Sequence, residues 1–137
     1  MKKALKKVLR HSPGANASAS WDKVPSEREI VEKLERWLAG KGYCIADESM
    51  SDVCRRIGLT RFELTWVSKS VYGENFLTLR KRMRIAEAAR LLLEDNEEPI
   101  AVVAVRVGIP DKSNFRRQFA EVMGLTPQEW RDIHDIP

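Results

Sequence analysis

Four polar or basic side chains stand close together near the end of the chain, after the turn-forming residues Gly108, Ile109 and Pro110. They are Lys112, Ser113, Arg116 and Arg117. On a helix they share one face, while Phe115 and Phe119 share another. Lys and Arg are cationic donors that suit an anionic or acceptor-rich partner. The spacing therefore predicts a helix with one face for a core and the other for a partner.

Groups that could support catalysis or metal binding are sparse. His11 and His134 stand near the two ends of the chain, and neither is spaced with a cysteine or carboxylate as a metal ligand or as the base of a nucleophile. Cys44 and Cys54 lack metal-ligand spacing, and we expect both to be reduced. The sequence predicts no enzyme, no metal and no cofactor.

Composition limits the size and class of the protein. The 137 residues, of which 43% are hydrophobic and 32% charged, suffice for one domain or two very small ones. No apolar run approaches the ~20 residues of a membrane span, and no signal peptide is recognisable. We therefore expect a cytoplasmic protein. The net charge of +4 weakly favours binding to polyanions such as nucleic acid or anionic membrane.

Residues 1–25 differ in composition from residues 26–137. The first ten carry five basic residues and no acid, and the next ten are small and polar. We expect a tail or an interdomain linker over 1–25. A short amphipathic helix over residues 2–10 is one alternative. The arm is either simply solvated or docks on DNA, lipid or another domain.

Capping patterns and apolar spacing predict an all-α fold of about seven helices. Ser or Thr followed three residues later by Glu occurs at residues 26, 60 and 126, and Ser49 with Asp52 is a weaker instance. In the third helix the predicted apolar stripe is Leu64, Val67 and Val71. The predicted helices span about 26–40, 50–57, 60–72, 76–94, 99–107, 111–123 and 127–134.

The run from Ile100 to Val107 is ambiguous, because it is rich in the β-branched residues of a buried strand. Pro99 at its start and Gly108 at its end favour a helix. Ile100, Val103, Ala104 and Val107 also fall on one helical face.

Two short helix pairs, at residues 50–72 and 100–123, repeat the same layout. Each has a helix of about two turns, a glycine, a tight turn and a longer polar helix, which is typical of a helix-turn-helix. Between them the helix predicted at 76–94 is about 28 Å long at about 1.5 Å per residue. Successive major grooves on one face of B-DNA are about 34 Å apart. The two units could therefore reach adjacent grooves.

From Met50 to Arg131 the chain resembles the DNA-binding domain of AraC/XylS-family transcription regulators. The segments that carry the resemblance are IGLTRFEL (57–64), RMRIAEAARLLLE (82–94), VGIPDKSNFRRQF (107–119) and MGLTPQEWR (123–131). The resemblance implies a first subdomain at 26–73 with an extra N-terminal helix, a linker helix at 75–95 and a second subdomain at 99–137.

The resemblance also implies which residues contact DNA. In the second unit the base-facing positions fall on Lys112, Ser113, Arg116 and Arg117; Arg116 is the strongest candidate reader, because Arg can bond guanine O6 and N7 together. In the first unit they fall on Phe62, Thr65 and Trp66. Phosphate contacts are expected from Arg61, Lys69, Arg80, Lys81 and Arg82. For the basic stretch 80–84 the alternative is a solvated helix face with Glu87 as a partner.

Three positions depart from the family pattern. Ile109 stands where an aromatic is usual, Ser68 where a core Phe is common, and Ala120 with Glu121 where basic residues often follow the Phe. These departures predict weaker binding, or binding that depends more on the second unit and on dimerisation.

The implied function is a sequence-specific regulator of transcription, expected to be an activator. Its expected partners are double-stranded promoter DNA and RNA polymerase, with homodimerisation on DNA as a further expectation. The alternative is a helical protein-interaction module anchored by Trp66 and Trp21. We find no sensing domain in the sequence. The chain is therefore either a small stand-alone regulator or the output end of a longer one, which could be the cytoplasmic part of a membrane-anchored sensor.

Overall fold

The computed structural model describes residues 25–135, and within this range there are α-helices and one 3-10 helix but no strand. The predicted all-α class with seven α-helices is confirmed. The 3-10 helix Gly42–Cys44 follows the first α-helix. The α-helices are α1 (Glu27–Ala39), α2 (Met50–Ile57), α3 (Arg61–Tyr72), α4 (Phe76–Glu94), α5 (Ile100–Arg106), α6 (Lys112–Met123) and α7 (Pro127–His134).

The N-terminal segment falls largely outside the described residues. Of the predicted tail at 1–25 only Pro25 is described, and the short helix considered for residues 2–10 lies wholly outside the range. Trp21 lies outside it as well.

Side-chain caps begin the helices where the sequence predicts them. Complete capping boxes form at α2, α3 and α7, with the pairs Ser49–Asp52, Thr60–Glu63 and Thr126–Glu129. At α1 only half of the box forms, because Ser26 accepts from the Glu29 N–H without a return bond. Each cap is worth ~1 kcal/mol, so the caps define boundaries more than they stabilise the fold.

Two hydrophobic cores are built at opposite ends of α4. The first core joins α1, α2 and α3 to the start of α4, where Phe76 and Leu79 are buried. The second core joins α5 and α6 to the later part of α4, from Ile85 to Leu92, and Trp130 of α7 packs against it. The linker helix thus changes from one core to the other between Leu79 and Ile85.

The ambiguous run at 100–107 forms a helix, as predicted. Val103, Ala104 and Val107 are buried in the second core and Ile100 packs against it, while Val102 and Val105 are exposed. This pattern follows a helical period, since a strand would bury alternate residues.

Two positions of α3, Val71 and Ser68, differ from what was expected in a core. The predicted burial of Val71 is wrong, and the small residue Ser68 has a physical explanation. Val71 is exposed, so only Leu64 and Val67 of the predicted stripe lie in the first core. Ser68 is fully buried instead, and its hydroxyl donates to the Leu64 carbonyl at 2.8 Å. A small residue with a satisfied hydroxyl therefore occupies the position where a large core side chain was expected.

Candidate nucleic-acid interface

Helix α6 presents its basic face outward because its other face is fastened to the second core. Phe115 and Phe119 are buried, with ring centroids 5.8 Å apart, and Trp130 lies edge-on to Phe119. The Trp130 indole N–H donates to the Ala89 carbonyl of α4 at 3.0 Å, which ties α7 to the linker helix. This packing fixes the rotation of α6 about its own axis.

All four candidate base contacts of the second unit are exposed along α6. Ser113 and Arg117 lie on the side away from the two Phe rings, whereas Lys112 and Arg116 lie nearer to them, at the edge of a cavity that Phe115 also lines. Asp111 caps the helix by accepting from the Asn114 N–H at 2.8 Å. The four side chains are therefore exposed from the first turn of the helix onward.

The three basic residues of α6 differ in their hydrogen bonds and ion pairs within the protein. Arg117 donates to the Asn114 side-chain oxygen at 2.9 Å and lies 3.8 Å from the Glu121 carboxylate. Within the described part of the chain, Lys112 and Arg116 have neither an ion pair nor a side-chain hydrogen bond. Arg116 nevertheless faces the start of α7: the pKa of Glu129 is lowered first by the Thr126 backbone N–H, and Arg116 adds to that effect.

Helix α3 offers a different surface. Phe62 is 52% exposed, and Arg61, Thr65 and Lys69 are exposed too. The Thr65 hydroxyl donates to the Arg61 carbonyl at 2.9 Å, which leaves its oxygen as an acceptor. The exposed face is therefore mainly an apolar ring flanked by two cations.

Trp66 is less exposed than the other candidate base contacts of α3. It is partly buried and packs against the first core, and its indole N–H is buried with no acceptor among residues 25–135. The base contact of Trp66 remains a prediction, and its packing gives it a role in the fold of the first unit.

The basic side chains of residues 80–84 on α4 form hydrogen bonds or ion pairs within the protein. Arg80 donates to the Glu48 carbonyl at 2.6 Å and lies over the Phe76 ring, while Arg84 donates to two carbonyls of the segment before α2. Lys81 pairs with Glu121 of α6 at 3.2 Å, and Arg82 pairs with Glu74. Burial lowers the pKa of both Arg80 and Arg84.

These partners correct one expectation from the sequence. Glu87, suggested as the partner of residues 80–84, instead binds Lys41 at 2.7 Å and Arg90 at 2.6 Å. Of the three predicted phosphate contacts on α4, Lys81 and Arg82 hold only exposed or half-exposed ion pairs, which are weak. Those two could exchange a carboxylate for a phosphate, whereas Arg80 is committed to a backbone carbonyl.

The excess of positive charge lies outside the helical domain. Residues 1–24 contain six basic residues and one acidic residue, so residues 25–137 carry 18 basic and 19 acidic ones. Any basic surface of residues 25–137 therefore comes from the placement of their charges and not from their net charge.

Metal ligands, thiols and membrane-spanning helices were the other features considered from the sequence. No cluster of three or more His, Cys, Asp or Glu side chains within residues 25–135 is arranged to hold a metal ion. Both cysteines are free thiols, and burial is the main reason that the pKa of each is raised. In the same range, no helix has the length and apolar character required to cross a membrane.

Two short helix-turn-helix units on one linker helix, with a basic face on the second helix of the later unit, define a DNA-binding domain. A family model described as a helix-turn-helix domain matches residues 53–133, which is more than half of the chain. The chain belongs to the AraC-type helix-turn-helix family of transcription regulators. HTH-type regulators bind double-stranded DNA.

Two curated relatives carry names of activators. The HTH-type transcriptional activator RhaR of Mannheimia succiniciproducens is 26% identical over 102 residues, which cover 74% of this chain and 37% of RhaR. The HTH-type transcriptional activator AarP of Providencia stuartii is 24% identical over 105 residues, which cover 77% of this chain and 76% of AarP. The chain thus spans little more than a third of RhaR but three quarters of AarP.

Solved structures share the fold. The C-terminal domain of AraT, a response regulator of Geobacillus stearothermophilus, is similar with a TM-score of 0.68 and 28% identity, covering 76% of this chain and 84% of that one. The C-terminal domain of the two-component response regulator yesN of Fusobacterium nucleatum has a TM-score of 0.62 at 22% identity, covering 76% and 96%.

Proposed function

We propose that this chain is a sequence-specific activator of transcription that inserts α3 and α6 into successive major grooves of promoter DNA. The observation that carries the proposal is the run of exposed donors along α6, a helix whose orientation is fixed by the buried Phe115 and Phe119. In this family such a helix is positioned to bring its first turns against base edges.

We assign DNA contacts to the α6 residues from the bonds that each makes, or does not make, within the protein. Arg116 is unpaired within residues 25–135 and can bond a guanine through two parallel hydrogen bonds. Lys112, at the first turn, is proposed to contact either a base or a phosphate. Arg117 can keep its bond to Asn114 and still approach a phosphate. Ser113 is proposed to contact a base edge.

The first unit is proposed to contribute position more than sequence. Phe62 can cover a thymine methyl, and the acceptor oxygen of Thr65 can receive a base amino group. Arg61 and Lys69 flank these side chains and are proposed to hold phosphates. We propose Lys81 and Arg82 as further phosphate contacts.

Activation and the partners beyond DNA belong to the proposal as well. The printed names of RhaR and AarP describe activators, which supports that direction of regulation here. An activator acts through RNA polymerase, so we propose polymerase as a partner, homodimerisation on DNA, and a location with the DNA in the cytoplasm.

The proposal is tested by competition binding at several salt concentrations. Duplexes selected by the protein from random-sequence DNA are titrated against bulk competitor, because phosphate contacts alone bind every sequence and weaken steeply with salt. We expect the selected duplexes to be preferred throughout. Equal affinity for both DNAs at every salt concentration would refute sequence-specific binding.

A protein-interaction module is the second candidate, and the partly buried Trp66, whose indole N–H has no acceptor among residues 25–135, favours it. A promoter reporter separates the two. In the DNA-reading account Arg116→Ala and Arg117→Ala abolish regulation, while Trp66→Phe preserves it because Phe keeps the packing. Loss of regulation in Trp66→Phe, with both Arg variants still active, would favour the interaction module.

A further inference from the structure

The connection between α1 and α2, residues 41–48, reaches from the first unit to the second. We call these residues the bridge segment. Its 3-10 helix, Gly42–Cys44, packs on α4, and Cys44 packs against both hydrophobic cores. The bridge segment therefore contacts the linker helix and the cores of both units.

Three side chains of α4 hold the bridge segment in place. Arg84 donates to the Tyr43 carbonyl and, at 2.7 Å, to the Ile45 carbonyl, so it binds the backbone on both sides of Cys44. Arg80 donates to the Glu48 carbonyl, and Glu87 receives Lys41. Arg84, which is half-buried, thus sits on α4 at the point where this helix passes from one core to the other.

The second unit rests directly on this backbone. Gly108, at the end of α5, has a φ of +86°, and a Cβ added there would lie 2.6 Å from the Cys44 carbonyl oxygen. A glycine is required both for the backbone conformation and for the close approach. The turn of the second helix-turn-helix therefore contacts the segment that Arg84 fixes.

The contact between the units is interrupted by an open cleft. A cleft of about 330 Å³ separates Asp47, Glu48 and the two arginines of α4 from Pro110, Asp111 and Asn114 of the second unit. The bridge segment also contains the described non-glycine residues with positive φ, Lys41 and Asp47. Such backbone persists where its surroundings enforce it. The bonds from Arg80 and Arg84 and the close approach of Gly108 to Cys44 thus contribute directed contacts to the junction.

We propose that Arg84 and the bridge segment set the relative orientation of α3 and α6, and with it the spacing of the two DNA sites that the protein accepts. Arg84 is in this account a positioning residue that does not touch DNA. The inference about spacing rests on the proposed function, while the inference about orientation does not.

The orientation is measured on the full chain without DNA, by residual dipolar couplings of backbone amides. In the wild type, one alignment tensor is expected to fit α1–α3 and α5–α7 together. In Arg84→Met, the two units are expected to need separate tensors. A wild type that needs two tensors, or an Arg84→Met variant that still fits one, would overturn the proposal.

Arg131→Met is the matched control. Arg131 also donates to two backbone carbonyls, those of Leu92 and Asp95, but both lie at the end of α4 on the side of the second core, away from the bridge segment. We expect this variant to lose stability and to keep a single tensor. Arg84→Lys, which retains the charge but not the two-pronged donor, is a milder variant in case Arg84→Met does not fold, and it should fall between wild type and Met.

A DNA-binding experiment tests the inference about spacing. It compares the affinity for a selected duplex with the affinity for the same duplex lengthened by one base pair between its two sites. Wild type and Arg131→Met are expected to prefer the original by about tenfold, the cost of losing one bidentate base contact. Arg84→Met should lose most of this preference. Equal spacing preference in Arg84→Met and wild type would contradict the inference, whereas a wild type without any sequence preference would contradict the proposed function and leave the orientation result standing.

Discussion

Arg116 and Lys112 are the basic side chains of α6 that no carboxylate of the described chain neutralises by direct contact. A cation without an internal partner gives up no ion pair when it binds DNA, while a paired one must first give up its carboxylate. We therefore expect sequence reading to be concentrated on the first turns of α6.

Substitution of these two residues should separate base reading from phosphate binding. Arg116→Ala is expected to cost ~1–3 kcal/mol on a preferred duplex and to relax the preference at one base position. Lys112→Ala should lower affinity for all sequences and reduce the salt slope by about 0.9, if it contacts one phosphate. Anisotropy titrations on preferred and random duplexes measure both. Identical behaviour of the two variants would contradict this division of roles.

The exposure of residues in the second unit could be predicted from the sequence more completely than the contacts of the basic residues on α4. The Phe115 and Phe119 spacing defines the buried face of α6, so the exposure of Ser113 and Arg117 follows from helical geometry. Lys112 precedes the two Phe by three and seven residues, so its exposure depends on the tertiary structure. For Arg80 the local sequence indicates only a basic helix face. Its actual acceptor, the Glu48 carbonyl, is 32 residues away in the chain, and a long-range contact of this kind has no local signal.

At the scale of elements, the helix boundaries follow from local chemistry. Capping boxes and glycines in left-handed conformation, as at Gly58 and Gly124, act within a few residues and are visible in the sequence. Val71 was assigned wrongly because the period of α3 alone does not say where the neighbouring helices stop. Gly108 could be predicted as a helix end, but its contact with Cys44 depends on tertiary structure.

The attachment of the bridge segment to α4 should make stability depend on pH through Glu87. Hydrogen bonds from Arg90 and then Lys41 hold the pKa of this carboxyl below its ordinary value of 4.5. A carboxyl with a lowered pKa in the folded state stabilises the fold above its unfolded pKa, and the stabilisation is lost as pH falls through the folded pKa.

Glu87→Gln is therefore expected to lower the free energy of unfolding at pH 7 by roughly 1–3 kcal/mol. The difference from wild type should shrink as the pH falls below about 4.5, the ordinary glutamate value. Urea unfolding between pH 7 and pH 3 measures it. Glu94→Gln is the control, since the exposed Glu94 also pairs with Arg90 but not with Lys41. A constant difference at all pH values would contradict the assigned role of Glu87.

At the scale of the whole molecule, charge is divided between the N-terminal segment and the helical domain. The net charge of +4 arises entirely from residues 1–24, since the remaining residues carry one more acid than base. Attraction to DNA over long distances should therefore depend on the segment, and discrimination between sequences on the domain.

Replacing Lys2, Lys3, Lys6 and Lys7 by Gln removes this excess charge. We expect weaker binding to every duplex at low salt, with a reduced salt slope, and an unchanged ratio between preferred and random DNA. Arg28→Gln, at an exposed residue of α1 that pairs with Glu32, is the control. An unchanged slope in the fourfold variant would exclude phosphate contacts by these lysines.

The central claim, that two recognition helices on one rigid scaffold read adjacent major grooves, is tested most directly by selecting binding sites from random double-stranded DNA. The account predicts two blocks of preferred bases whose centres lie about 10 base pairs apart, because that separation places both grooves on one face of B-DNA. The block read by α6 should be the better defined, and it should weaken in Arg116→Ala. A single block, a variable spacing or no enrichment over the starting library would contradict the account.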